Sequence, residues 1–266
     1  MNSKIFLSTA VLTLSVFAGN CWATAAGEVA LITGRGTATA SDGTVRSLAK
    51  GDSVYSGEIV NSGASSYVNL KFADGGFILL RPRSRFEIAD FKYAAAAAPA
   101  ALVAKSTAAA APPVAARKPI ANPVIVAPAA QENLAEHAFF RLLKGGFRAI
   151  SGLVGHVNRA DYRVSTPVAT IGIRGTDYLA VICDAICAHD PVIAEVLPNG
   201  ANALGGTVVG VFSGGIYIEN AAGKQTDVAP GQYLINLPDG RQFVLPSMPH
   251  FLQVDPIPNP KDICAD

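Results

Sequence analysis

Turn glycines divide the sequence VALITGRGTATASDGTVRSLAKGD, from Val29 to Asp52, into short runs. A second stretch with the same spacing, VGVFSGGIYIENAAGKQTDVAPGQ, runs from Val209 to Gln232. Gly34, Gly43 and Gly51 in the first stretch are nine and then eight residues apart, and so are Gly214, Gly223 and Gly231 in the second. A valine stands five residues before Gly34 and five before Gly214. Short runs of alternating apolar and polar residues between turn glycines are typical of strands joined by tight turns. The two stretches predict a β-domain that opens and closes with the same unit.

The segments between the two stretches also have strand patterns. Tyr67–Phe72 alternates polar with apolar residues, which gives a strand one buried face. Glu132–Leu143 has helical spacing but ends in an aromatic and aliphatic run that fits a strand equally well, so both alternatives stay open. We expect an all-β fold, a single discontinuous domain of short strands over residues 26–93 and 136–236. Its arrangement is expected to be a twisted sandwich or a short solenoid.

Residues 94–135 form an alanine-rich insertion that interrupts the strand pattern. Prolines stand at positions 99, 112, 113, 119, 123 and 128. Prolines at this density break a helix repeatedly, and the segment has too little apolar bulk to bury a core. We therefore expect a disordered linker inserted in a loop of the domain. Residues 237–266, also rich in proline, are expected to be an extended tail.

Residues 1–25 have the parts of a secretory signal peptide. Lys4 supplies the positive charge, Ile5–Ala18 is apolar, and Ala23–Ala25 offers the small residues that a signal peptidase needs. The apolar run is shorter than the about 20 residues that span a bilayer. We expect cleavage after Ala25, no lipid at Cys21 and no membrane span. The mature protein is expected in the periplasm.

The charge balance restricts the possible partners. Of 21 basic and 20 acidic residues, only Lys4 lies in the signal segment, which leaves 20 of each. A nucleic-acid-binding protein requires a clear basic excess. We therefore expect no nucleic-acid partner.

Cys183 and Cys187 are predicted to form a local disulfide, because cysteines of exported proteins meet an oxidising compartment. The alternative is a metal site that uses both cysteines and His189. No fourth ligand lies nearby in the sequence, so we expect no metal.

Patterns that would indicate catalysis are incomplete. Ser47–Lys50 fits the S-x-x-K pattern, but it lies in a turn-rich strand region and lacks the companion motifs. The four histidines, at positions 137, 156, 189 and 250, are scattered and form no H-E-x-x-H motif. We expect no enzyme activity, no catalytic residues and no cofactor.

The run STPVATIGIRGTDY, from Ser165 to Tyr178, resembles the signature strand of the FecR periplasmic domain. Val209–Gln232 resembles the end of that domain. Its opening half is matched by Gly51-Asp52, Ser65–Phe72, Asp74-Gly75 and the spacing of Arg81 and Ser84. The resemblance implies an all-β domain in the periplasm. In the founding members of the family, this domain relays a signal from outer-membrane transport of ferric chelates to an extracytoplasmic sigma factor.

The chain differs from those founders at both ends. A cleavable signal peptide is expected where they have a cytoplasmic segment and a membrane span. The proline-rich tail has no evident counterpart of their transporter-contacting region. We therefore interpret the chain as a non-catalytic binding or signalling module that contacts another envelope component, a protein or a cell-wall polymer. The alternative is a structural or cell-wall-associated envelope protein without a specific ligand.

Arg174, Gly175, Thr176 and Asp177 form the first candidate site. In the structural interpretation, Gly175 supplies a backbone conformation that other residues resist, and Thr176 and Asp177 bond to nearby backbone. Arg174 would then pair with a carboxylate such as Asp177. In the functional interpretation, Arg174 binds an anion or a partner. The structural interpretation is favoured, since Thr and Asp beside a turn glycine usually serve that turn.

Arg81, Arg83 and Arg85 form the second candidate site. They are two residues apart, so on a strand they would share one face. Three guanidinium groups on one face would suit an acidic partner, a cell-wall carboxylate or a phosphate. A solvated outer face, with Pro82 marking an edge strand, is the alternative.

Overall fold

The computed structural model describes residues 24–94, 136–157 and 159–264. Most of the predicted signal segment and of the predicted linker lies outside these ranges. Two nine-stranded sheets dominate the described part, which confirms the predicted all-β class. Helices are short, and none in the described ranges is long and apolar enough to cross a membrane. The strands are β1 (Ala25–Thr33), β2 (Gly36–Thr39), β3 (Val45–Ser47), β4 (Ser53–Tyr55), β5 (Ile59–Ser62), β6 (Tyr67–Phe72), β7 (Phe77–Leu80), β8 (Arg85–Lys92), β9 (His137–Lys144), β10 (Gly146–Ile150), β11 (Tyr162–Ser165), β12 (Ala169–Ile173), β13 (Asp177–Ile182), β14 (Thr207–Ser213), β15 (Ile216–Asn220), β16 (Gln225–Val228), β17 (Tyr233–Asn236) and β18 (Gln242–Leu245). The α-helices are α1 (Leu153–Val157), α2 (Ala185–Ala188), α3 (Pro191–Val196) and α4 (His250–Val254), and 3-10 turns span Arg159–Asp161 and Asp262–Cys264.

The two sheets stack as a sandwich. The first sheet has the order β18-β17-β14-β13-β10-β7-β6-β1-β4, and the second has the order β16-β15-β12-β11-β9-β8-β5-β2-β3. Within the described ranges, paired strands are antiparallel, apart from the parallel pair β9 and β11. Strands from before and after the insertion pair in both sheets, β7 with β10 and β8 with β9. The two parts of the chain therefore share one domain.

The two glycine-spaced stretches build matching units. β1 to β4 cross from the first sheet to the second and back, and β14 to β17 do the same. At the first crossing of each unit, Gly34 has φ +75° and Gly214 has φ +76°, a conformation that glycine adopts without a steric penalty. The last turn of each unit is closed by the same kind of hydrogen bond. The Asp52 side chain accepts from the backbone N–H of Ala49 at 2.8 Å, and the Gln232 side chain accepts from that of Ala229 at 2.9 Å. Strand directions alternate from β1 to β14 in the first sheet, so the second unit runs opposite to the first.

The insertion joins two neighbouring antiparallel strands. Lys92, the last residue of β8, lies opposite His137, the first residue of β9. The insertion therefore takes the place of a hairpin loop in the second sheet. His137–Lys144 is a strand. Of the two alternatives for Glu132–Leu143, the strand is therefore correct in the part that the structure describes.

Two apolar cores stabilise the domain. The first fills the space between the sheets, where Phe86, Phe140 and Phe147 pack with ring centroids 5.4 and 5.5 Å apart. The second lies on the outer face of the first sheet, where α2, α3 and the C-terminal residues cover Leu79 and Ile235. The first sheet is consequently apolar on both faces.

The prediction of an extended tail is wrong for the described part of residues 237–266. The segment forms β18, α4 and a 3-10 turn, and it buries Leu252 and Ile257 in the second core. The buried side-chain amide of Asn69 also donates to the carbonyl of Pro260 at 2.9 Å. The prolines separate short elements, while contacts with residues far away in the sequence fix the path of the chain.

Candidate functional site

A cleft of about 420 Å³ opens on the outer face of the first sheet. One wall is the segment that follows β13, which carries α2 and α3. The other wall is α4, and Arg81 closes the cleft after the end of β7. Segments from three parts of the sequence therefore converge on it.

The wall after β13 is held by a disulfide and a helix cap. A disulfide joins Cys183 and Cys187, which are both buried. Asp184 accepts from the backbone N–H groups of Ile186 and Cys187 at 3.0 and 3.1 Å, which satisfies free donors at the start of α2. These bonds fix the backbone of Ile186, whose side chain is 70% exposed at the rim of the cleft.

Asp190 connects the two walls. This carboxylate is 3% exposed and accepts from the backbone N–H of Val192 at 3.0 Å, at the start of α3. Its other oxygen accepts from the backbone N–H of Phe251 in α4 at 2.7 Å. A buried carboxylate requires such donors. Asp190 therefore sets the position of α4 relative to α3.

Arg81 and Asp255 form an ion pair at the mouth of the cleft. A guanidinium nitrogen of Arg81 lies 2.6 Å from the carboxylate of Asp255, and the guanidinium carbon lies 5.9 Å from the centre of the Phe251 ring. Tyr67 donates its hydroxyl hydrogen to the other Asp255 oxygen at 3.1 Å. Partial burial and the negative charge of Asp255 raise the pKa of Tyr67, so the phenol keeps its proton.

The three carboxylates that line the cleft already bond to other groups of the protein. The residues that line the cleft include no hydroxyl, free thiol or lysine side chain. The carboxylates of Asp184 and Asp190 hold backbone groups, and His189 Nδ1 lies 2.7 Å from the carbonyl oxygen of Ala185. Within the described ranges, no three potential metal ligands are grouped closely enough to hold an ion. The arrangement is suited to an apolar group beside the Arg81 ion pair.

The prediction that Arg81, Arg83 and Arg85 share one strand face is wrong. β7 ends at Leu80 in the first sheet, and β8 begins at Arg85 in the second. Arg83 lies in the turn between them with φ 59°. The two-residue periodicity of a strand does not continue through a turn that changes sheets. Arg81 lines the cleft, whereas Arg83 and Arg85 are exposed and do not line it.

Arg174 pairs with a carboxylate, as the structural interpretation expects, but its partner is Asp227 and not Asp177. Arg174 lies 3.0 Å from Asp227, and both side chains are about half or more exposed. Asp177 pairs instead with Arg148 at 2.8 Å, and these side chains are only 14% and 12% exposed. The chain changes sheets between Arg174 and Asp177, which separates the two side chains.

Gly175 and Thr176 form the turn between β12 and β13. Gly175 has φ +72°, and a side chain there would start 2.9 Å from the His156 ring. The Thr176 hydroxyl donates to the carbonyl of Gly215 at 2.6 Å, which ties this turn to the first crossing of the second repeated unit. Neither residue lines the cleft.

Most residues of the cleft belong to no sequence pattern that marks a site. Ile186 stands between two cysteines that predict only a disulfide, and Phe251, Val254 and Asp255 lie in the predicted tail. The available signal was the apolar content of His250–Val254, which a proline-rich context obscured.

No family model and no curated protein matches the chain. Two crystal structures of a proposed anti-sigma factor from Parabacteroides distasonis are similar to it, with a TM-score of 0.38 and 9% identity. The similarity covers 70% of this chain and 58% of the anti-sigma factor chain. This chain therefore spans little over half the length of that protein. A cell surface anchoring domain is 31% identical over 23% of this chain and 82% of that one, with a TM-score of 0.23. Similarities of this extent identify neither a family nor a function.

Proposed function

We propose that the chain is a non-catalytic, FecR-like binding module of the periplasm that recognises another envelope protein through the cleft. The periplasmic location draws on the signal-peptide pattern of residues 1–25. The FecR-like character draws on the resemblance of Ser165–Tyr178 to the signature strand of that family. The choice of a protein partner rests on the cleft itself.

The observation that carries the proposal is the pair of apolar residues at the rim. Ile186 and Val254 are each 70% exposed, on opposite walls of the cleft. Exposed apolar residues around a concave apolar surface with a few polar groups are typical of a binding site. The disulfide holds one wall and Asp190 ties it to the other, so the site is largely preformed, which lowers the entropy lost on binding.

Affinity capture with Ile186→Asp tests the proposal. The tagged mature protein is used to capture partners from an envelope extract of the producing cells, and the captured proteins are identified by mass spectrometry. The control is Val45→Asp, since Val45 is 62% exposed on β3, at the far edge of the second sheet. We expect one dominant protein with the parent and with the control variant, and its loss with Ile186→Asp.

Two results would contradict the proposal. Equal capture by Ile186→Asp and the parent would exclude the cleft as the recognition site. Capture of no dominant protein by the parent would favour a structural envelope protein without a specific ligand.

A further inference from the structure

Four exposed basic residues meet at one end of the sandwich: Arg35, Arg83, Arg85 and Lys144. Backbone contacts place them together. Gly63 accepts from the backbone N–H of Arg83 at 3.0 Å and donates to the carbonyl of Arg35 at 2.8 Å. Arg85 lies directly opposite Lys144 in the pairing of β8 with β9. We call these four residues the basic end.

No carboxylate of the described ranges forms an ion pair with any residue of the basic end. The acidic residues nearby have other partners: Asp255 pairs with Arg81, and Glu87 pairs with Arg141. The net charge of the whole chain is only +1, so this concentration of unpaired positive charge is local.

Arg83 has a backbone conformation that is unfavourable for residues other than glycine. In the described ranges, thirteen glycines have positive φ, and Arg83 is the single non-glycine residue that does. An L-residue in this region is strained because its Cβ approaches the backbone. Strained residues persist where the surrounding structure enforces them, and they cluster at functional sites.

A second unfavourable feature lies beside it. Arg85 and Lys144 are cross-strand neighbours with the same charge, and like charges directly opposite each other destabilise a sheet. Glycine at position 83 would relieve the backbone strain, and an uncharged polar residue at position 144 would remove the charge repulsion. Local departures of this kind that share one chemical property indicate a functional surface.

The basic end follows the cleft directly along the chain. Arg81 lines the cleft, and only Pro82 separates it in the sequence from Arg83. A partner segment that places an apolar side chain between Ile186 and Val254 would extend past Arg81 towards the exposed guanidinium groups. Carboxylates on that segment would meet arginines, whose planar groups bind carboxylates in a bidentate manner.

We propose that the partner recognised by the cleft presents an acidic segment with an apolar anchor residue, and that the basic end binds its carboxylates. This inference rests on the proposed function and names the chemistry of the partner. Positive charge at the rim of an interface mainly increases the association rate and the specificity. Binding is therefore expected to weaken as salt increases.

Fluorescence anisotropy with a synthetic peptide tests the inference. The probe is a fluorescein-labelled peptide of four Glu-Glu-Leu triplets, and a peptide of four Gln-Gln-Leu triplets is the neutral control. We expect the mature parent protein to bind the acidic peptide more tightly than the neutral one. Arg83→Gly and Lys144→Gln should each weaken this binding about fivefold, the effect of one exposed charge contact.

Arg83→Gly also separates recognition from folding. Glycine relieves the strained backbone at position 83, so this variant should melt at the parent temperature or above it while it binds the acidic peptide less tightly. The matched control is Lys92→Gln, which removes an exposed charge at the opposite end of β8 and should bind like the parent.

Three results would overturn the inference. Equal binding of the acidic and neutral peptides is the first, and unchanged binding by Arg83→Gly is the second. The third is binding to phosphatidylglycerol vesicles, lost in Arg83→Gly, without binding to the peptide. If capture of the envelope protein requires Ile186 but not Arg83, this inference fails while the proposed function stands.

Discussion

Replacing Arg148 with alanine is expected to destabilise the domain far more than the same change at Arg174. Arg148 forms two bonds of 2.8 Å with the carboxylate of Asp177, and a third bond of 3.1 Å to the carbonyl of Ile257. Its guanidinium carbon also lies 3.8 Å from the centre of the Phe212 ring. Arg148 thus joins β10, β13, β14 and the C-terminal segment.

The expected magnitude follows from burial. Both side chains of the Arg148–Asp177 pair are less than 15% exposed. Removing one partner of a buried ion pair leaves an uncompensated charge, which lowers the free energy of unfolding by about 3–5 kcal/mol. At about 2–4 °C per kcal/mol for a domain of this size, the melting temperature should fall by roughly 6–20 °C.

Arg174→Ala is the matched control. Arg174 pairs with Asp227 at the surface, with side chains 49% and 68% exposed, and exposed ion pairs contribute about 0–1 kcal/mol. Urea unfolding, followed by circular dichroism, measures both variants against the parent. A large loss of stability in Arg174→Ala, or equal stability of Arg148→Ala and the parent, would refute the assignment of the structural role to the buried pair.

Three further predictions concern the turn, the insertion and the N-terminus. Gly175→Val should lower the free energy of unfolding by more than Gly43→Val, because both positions have positive φ but only at Gly175 does a side chain meet the His156 ring, and thermal melting compares the two. Replacing residues 95–135 with a short Gly/Ser loop should leave the melting temperature within a few degrees, since the insertion joins paired strands and loop length affects stability weakly; loss of the cooperative transition would show that the insertion packs on the domain. Mass spectrometry of the periplasmic form should show an N-terminus at Ala26, and an intact chain in the membrane fraction would contradict the signal-peptide assignment.

The sequence predicted the β-architecture well because its signals are local. Turn glycines such as Gly34 and Gly214 indicate a backbone conformation that few other residues adopt. They lie where the chain changes sheets. Alternation in Tyr67–Phe72 reports a buried face in the same way. Neither signal depends on which distant strand becomes a neighbour.

The candidate site was harder to predict because contacts between distant residues build it. Asp190 and Phe251 are 61 residues apart, and Arg81 and Asp255 are 174 apart. No pattern within a short window of sequence indicates such pairs, so the prolines of the C-terminal segment predict an extended tail. The prediction that the three arginines share a strand face failed for a local reason. Arg83 has a positive φ in a turn, and nothing in the sequence predicts that conformation for an arginine.

Photo-crosslinking in living cells shows whether a partner binds in the cleft. A photoreactive phenylalanine analogue replaces Ile186 in one strain and Val45 in another, and the cells are irradiated before the envelope is extracted. We expect one crosslinked species of defined mass from position 186 and none from position 45. The same crosslinks from both positions, or none from position 186, would contradict this expectation.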